Sequence, residues 1–230
     1  MSNNYVIEAG EPASIPVVGQ KGRFPVHRIY CVGRNYAAHA REMGKDPDKE
    51  PPFFFMKPAD AIVVEGGEMH YPPGTSNLHH EIEMVVALQR GGFQIPAARA
   101  LEHIYGYAVG LDMTRRDLQI ASRDMGRPWD FGKAFDESAP ITSIYPVSSH
   151  GHHSEGAITL EVNGELRQQG DLRDLIWSVA DTIAFLSNYY YLKPGDLIFT
   201  GTPAGVSAVV RGDKMVGKVQ GLAELRVAIV

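Results

Sequence analysis

The 230-residue chain holds a single cysteine, Cys31, so no internal disulfide framework can form, and a reducing cytoplasm is the expected setting. No apolar run approaches the ~20 residues of a membrane-spanning helix. The opening residues, Met-Ser-Asn-Asn-Tyr-Val-Ile-Glu, have neither the basic start nor the apolar block of a secretory leader. Positive charge is not in excess: 22 Lys and Arg stand against 27 Asp and Glu, a formal charge of −5 with no basic run. The chain therefore lacks the electrostatic footprint of a nucleic-acid binder. Internal repeats and low-complexity linkers are missing too. With 44% hydrophobic residues it can bury a full core, and a soluble globular protein is expected.

What is present is mostly β-type. Short apolar or alternating runs predict strands at Arg28–Val32, Pro52–Met56, Ile62–Val64, Glu81–Leu88, Tyr105–Leu111, Ala157–Val162, Leu197–Thr200 and Leu222–Val230. Asn163-Gly164 is the sharpest hairpin signal, because both residues tolerate positive φ. Helices are few: Tyr36–Met43, Ala97–His103, Arg115–Ser122 and Ser178–Tyr191. The last has Val179, Ile183, Leu186 and Tyr190 at helical spacing and a capping signal in Ser178 and Asp181. Strands without regular β-α alternation predict an α+β fold dominated by β-structure. Residues 1–25 read as an arm or short strand region, and 26–230 as one catalytic domain.

Glu81 and Glu83 in His-His-Glu-Ile-Glu-Met-Val-Val-Ala-Leu fall on one face of a strand otherwise made for burial. Buried together, like charges are costly unless something neutralises them. Asp112 ends a second apolar stretch and can add a third carboxylate. Such a set suits Mg²⁺ or Mn²⁺, whereas an isolated Glu-x-Glu pointing at water would need no ion. His39 and Glu42, three apart on a helix, can form an oriented general base or a plain surface pair. Lys57, after Phe53-Phe-Phe-Met, either snorkels or lines a pocket. Lys133, between aromatic and small residues, is a candidate pocket cation for a developing oxyanion. Gly201-Thr202-Pro203, after an apolar strand, offers backbone N–H groups and a hydroxyl to a carboxylate. His150, His152 and His153 read as a solvated loop or a second metal site.

Taken in order, Gly33-Arg-Asn-Tyr36, His39, Glu42, Pro52-Phe-Phe-Phe-Met-Lys57-Pro58, Glu81-Ile-Glu83, Gly110-Leu-Asp112-Met-Thr-Arg-Arg-Asp-Leu-Gln119, Lys133-Ala-Phe-Asp136 and Thr200-Gly-Thr-Pro203-Ala-Gly-Val206 resemble the fumarylacetoacetate hydrolase family, over about residues 25–230. Within it the chain looks closest to the short acylpyruvate hydrolases acting on fumarylpyruvate or maleylpyruvate in aromatic-compound breakdown. The resemblance implies β-sheets rolled around a Mg²⁺ (or Mn²⁺) site, a homodimer, and Glu81, Glu83 and Asp112 as metal ligands. It also implies His39 with Glu42 as a water-activating dyad on a lid, Lys133 and Gln119 at the reacting carbonyl, Thr202 at the substrate carboxylate, and Arg34 and Asn35 as binding residues.

The implied reaction is metal-dependent hydrolysis of a C–C bond in a 2,4-diketo acid, releasing pyruvate and a carboxylic acid such as fumarate or maleate. Oxaloacetate decarboxylation and dienedioate isomerisation are alternatives on the same scaffold, and a non-catalytic metabolite-binding protein is a remoter one. A dicarboxylic substrate needs a cation at its far end. Arg123, one helical turn after Gln119, is the candidate.

Overall fold

The computed structural model of the protein describes residues 5–8, 10–37 and 51–230. His39 and Glu42, and all but the first two residues of the expected helix Tyr36–Met43, lie outside the described residues.

A mixed sheet forms the spine. Phe54–Lys57, Arg28–Val32, Asp196–Phe199, Ile82–Leu88, Ile104–Leu111, Ala139–Ile141 and Ile62–Val64 are neighbours in that order, and Tyr145–Pro146 also pairs with Ile104–Leu111. This β-rich sheet curls into a half-barrel. A second sheet runs Glu165–Asp171, Ala157–Val162, Lys214–Val219, Leu225–Ile229 and Gly67–Met69.

Both faces of the central strand are covered. Every residue of Ile82–Leu88 is buried. Ile82, Met84, Val86 and Leu88 join a core shared with Ile158, Leu160, Met215 and Leu225 of the second sheet. Val85 and Ala87 join another core with Ile29, Cys31, Leu197 and Phe199. The two-residue period thus puts Glu81 and Glu83 on the Val85 and Ala87 side, buried away from bulk solvent.

Register then brings the third carboxylate alongside. Ile82–Leu88 pairs antiparallel with Ile104–Leu111, Ile82 facing Leu111 and Glu83 facing Gly110. The Asp112 N–H, just past the strand end, bonds Glu81 O at 2.8 Å. Gly110 is required here: a Cβ would come within 2.6 Å of the Phe199 ring and 2.7 Å of Val85.

The Asn163-Gly164 hairpin forms, with φ of 53° and 81°, between Ala157–Val162 and Glu165–Asp171. The N-terminal region contributes its own hairpin, Ser14–Pro16 with Arg23–Pro25, which buries Ile15, Val17, Phe24 and Val26 in the second core. The long helix is shorter than its apolar stripe suggests. Ser178 caps Val179–Leu186 as expected, but the helix stops at Leu186. Ser187 Oγ and Asn188 Nδ2 both donate to Ala184 O, so polar side chains close the last turn and the tyrosines beyond it stand outside the helix. Among the described residues no helix is long and apolar enough to cross a membrane.

Candidate active site

Glu81, Glu83 and Asp112 are all buried, and one carboxylate oxygen from each lies within 4.8 Å of the others. Three cations converge on them. Lys133 Nζ sits 2.7 Å from Glu81 Oε2 and 2.6 Å from Asp112 Oδ2. Lys57 Nζ lies 2.8 Å from Asp112 Oδ1, and Arg116 pairs with Glu81 Oε1. Lys57 is fully buried, which decides its reading in favour of the pocket; it also donates to the backbone oxygens of Met113 and Lys133.

The balance is uneven. Among the described residues no Lys or Arg pairs with Glu83, whose Oε2 accepts only the Gly201 N–H, at 2.7 Å. Burial, then the charges of Asp112 and Glu81, push the Glu83 carboxyl well above the ordinary carboxylate range. Lys133 moves up on balance: burial pulls it down, but Asp112 and Glu81 outweigh that and hold it as ammonium.

These features fit a divalent cation. The donors are hard oxygens, Glu83 has no cation partner among the described residues, and buried Asp112 Oδ1 makes no hydrogen bond despite the nearby Lys57. Glu81, Glu83 and Asp112 are also the only group among the described residues with ligand atoms so arranged. The histidine loop is otherwise engaged: His152 Nδ1 meets Tyr107 OH at 2.9 Å, His150 lies against Tyr145 and Ser149, and both histidines are exposed.

A cavity of about 570 Å³ opens beside the carboxylates, with Arg34, Phe53, Phe55, Trp129 and Lys133 on its wall. Phe53 and Phe55 flank Trp129, and Lys133 Nζ lies 4.8 Å from the Phe55 ring centre. Arg34 stacks over Phe53 at 4.9 Å. Gln119 is buried, its Oε1 bonded to Arg116, one step from Glu81.

Two of the expected binding residues sit differently. Asn35 is fully committed to the scaffold: Nδ2 donates to Trp177 O and Thr200 O, and Oδ1 accepts from Trp177 N. Its role is to lock the Gly33–Tyr36 turn to the loop carrying Gly201. Asn35→Ala should therefore cost about 2–4 kcal/mol of stability from three lost buried bonds and leave KM near wild type in whatever protein remains folded; chemical denaturation beside steady-state kinetics checks this. Arg123 does not join the buried stripe of Arg116, Gln119 and Ser122. It is exposed and bonds the adjacent Asp124 at 2.9 Å, because Asp124 ends the helix and offers the nearest carboxylate.

Sequence reasoning missed a further buried polar group, Gln168. It lies on Glu165–Asp171 among mostly exposed neighbours and connects His80, Ile82, Thr202 and Pro203. Thr202 is buried next to Gly201.

The profile of the fumarylacetoacetate (FAA) hydrolase C-terminal family matches residues 28–230. The chain belongs to the fumarylacetoacetate hydrolase family. It is 50% identical over 189 residues to a fumarylpyruvate hydrolase of Ralstonia sp, covering 81% of this chain and 98% of that protein. It is 39% identical over 197 residues to the mitochondrial oxaloacetate tautomerase of Homo sapiens, covering 86% and 89%. Among solved structures, a fumarylpyruvate hydrolase of Pseudomonas aeruginosa in complex with Mn²⁺ and pyruvate superposes with a TM-score of 0.97, 56% identity and 99% of both chains covered. This member of the family thus shares its whole described fold with a Mn²⁺- and pyruvate-binding relative.

Proposed function

We propose that the protein hydrolyses an acylpyruvate, of the fumarylpyruvate or maleylpyruvate type, to pyruvate and the corresponding carboxylic acid. The observation that carries this reading is the buried triad Glu81, Glu83 and Asp112 with Lys133, which bridges Glu81 and Asp112 and stands on the wall of an aromatic cavity. The 50% identity to a fumarylpyruvate hydrolase supports the substrate class. Aromatic-compound breakdown in the cytoplasm, by a homodimer, is the setting we assign.

A divalent ion, Mg²⁺ or Mn²⁺, held by the three carboxylates supplies Lewis-acid charge to the α-keto-carboxylate end of the substrate. Thr202 donates its hydroxyl to the carboxylate. Lys133, kept charged by Glu81 and Asp112, faces the C4 carbonyl oxygen and stabilises it as it becomes an oxyanion. Gln119, fixed by Arg116, supports the same carbonyl. Arg34 replaces Arg123 as the guanidinium for the distal carboxylate. His39, oriented by Glu42, takes a proton from water, and the hydroxide adds to C4. The C3–C4 bond then breaks, its electron pair leaves as the enolate of pyruvate, and protonation at C3 completes the products.

His39→Ala should lower hydrolysis by roughly 10²–10⁴-fold, the usual range for a general base, while Mn²⁺ affinity stays near wild type. The check is pyruvate release from fumarylpyruvate beside calorimetric Mn²⁺ binding; a variant turning over at the wild-type rate overturns the dyad assignment. The identity to oxaloacetate tautomerases favours a second reading, enolate chemistry on oxaloacetate. Wild-type protein that acts on oxaloacetate and leaves acylpyruvates intact would select it.

A further inference from the structure

The hydrogen bonds around Gln168 have a fixed direction. Its Oε1 accepts from Ile82 N at 3.1 Å, and a backbone N–H can only donate. Its Nε2 lies 2.8 Å from Pro203 O, and a carbonyl can only accept. These two partners settle which end of the amide is which. His80 Nδ1, 2.9 Å from the same Oε1, must then carry the imidazole proton. His80 Nε2 is left as an acceptor, and Ser207 Oγ at 2.9 Å donates to it. Every atom of the His80 ring is thereby used, and His80 is fully buried.

The second Nε2 hydrogen of Gln168 goes to Thr202 Oγ1, at 2.8 Å. Thr202 is therefore an acceptor toward Gln168, and its own proton must point elsewhere. Among the described residues no protein acceptor takes that proton, although Thr202 is 3% exposed. Thr202 also adjoins Gly201, whose N–H holds Glu83.

We propose that Gln168, oriented by His80 and the Ile82 N–H, is a positioning residue that occupies one lone pair of Thr202 Oγ1 and aims the hydroxyl proton away from the amide into the active site, so that this end of the pocket favours an acceptor such as the carboxylate of a 2-keto acid. The inference rests on the functional reading above for the identity of that acid, but the polarity of the network does not. A hydroxyl free to rotate presents its proton in any direction; one held by Gln168 has a lone pair occupied and its proton directed, which favours acceptors.

The test measures pyruvate binding by calorimetry to Mn²⁺-loaded protein, with acylpyruvate kinetics alongside. Gln168→Met keeps the length of the side chain and removes the donor. It should weaken pyruvate binding and raise KM about tenfold, with kcat within about threefold and Mn²⁺ affinity unchanged, as expected for one lost polar restraint. Thr202→Val should weaken pyruvate at least as much, and Thr202→Ser should restore it. In the Thr202→Val background, Gln168→Met should add nothing, because its effect runs through that hydroxyl. Should Gln168→Met not fold, Gln168→Glu decides. It keeps the acceptor for Ile82 and His80, and its ionised carboxylate draws the Thr202 proton to itself, so pyruvate binding should fall in the same way. Additive losses in the double variant, or unaltered pyruvate binding in either Gln168 variant, would overturn the proposal. Failure of the hydrolase reading looks different: no pyruvate is released by wild-type protein, while the binding cycle still reports on Thr202.

Discussion

Glu83→Gln should abolish turnover, by at least about three orders of magnitude, and yet leave the metal-free protein at least as stable as wild type. The loss of rate follows from removing one of the three proposed metal ligands when Lewis-acid charge is worth several kcal/mol and each ~1.4 kcal/mol is a factor of ten. The stability sign follows from the neighbours. Glu83 is buried with Glu81 and Asp112, pairs with no cation among the described residues, and has its carboxyl pushed well above the ordinary range by burial and those charges. A raised folded-state value means that ionising Glu83 opposes folding. The penalty is absent below the ordinary carboxylate range and grows as pH rises through it toward the raised value. A neutral amide of the same shape removes the penalty and keeps an oxygen for the Gly201 N–H. Thermal melts in chelator at neutral pH should show no loss for the variant, and added Mn²⁺ should stabilise wild type far more than the variant. A metal-free Glu83→Gln protein that melts well below wild type would contradict this electrostatic account.

Lys133→Met should move stability the other way. Lys133 Nζ bridges Glu81 and Asp112 inside the core, so its removal strands two buried carboxylates beside Glu83. Breaking a buried pair by deleting one partner costs about 3–5 kcal/mol, and Lys57 and Arg116 compensate only in part. Mn²⁺ should return much of that loss, since it brings positive charge to the same oxygens. Turnover at saturating Mn²⁺ should still fall by roughly 10²–10³-fold, the cost of one missing oxyanion donor. Denaturant titrations with and without Mn²⁺, beside kcat, test both halves. A variant as stable as wild type without metal would show that Lys133 is not the counter-charge its position implies.

The contrast between these two residues also marks how far the sequence could be read. Glu81, Glu83 and Asp112 were legible because strand alternation is local and a charged pair on a doubly buried strand needs neutralising. Lys133 was legible as a pocket cation, but its bonds to Glu81 and Asp112 span 52 and 21 positions and have no local signature. Lys57 was ambiguous for a related reason: an apolar run ending in lysine does not say whether the amine meets water or a carboxylate. The scaffold bonds of Asn35 were not legible, because its partners, Trp177 and Thr200, lie 142 and 165 positions away. Gln168 gave no signal at all, being one inward residue on a polar strand. The placement of Arg123 was missed at a local level. Helical spacing put it near Gln119, but the buried stripe drifts through Ser122 and the adjacent Asp124 takes the guanidinium. Six of the seven strands of the spine were found to within two residues, since their apolar runs are long; the three-residue strand Ala139–Ile141 was not, and the two-residue strands Leu78–His79, Thr114–Arg115 and Ala208–Val209 exist only through pairing with each other.

The proposed reaction requires a divalent ion on Glu81, Glu83 and Asp112 for cleavage of an acylpyruvate. Its most direct test is to strip the protein of metal and titrate Mn²⁺ back while following pyruvate release from fumarylpyruvate. The prediction is no release in excess chelator, and activity that rises to saturation at one Mn²⁺ per chain, with fumarate formed in equal amount to pyruvate. Undiminished release in persistent excess chelator, or full Mn²⁺ loading with no cleavage of fumarylpyruvate, would contradict it.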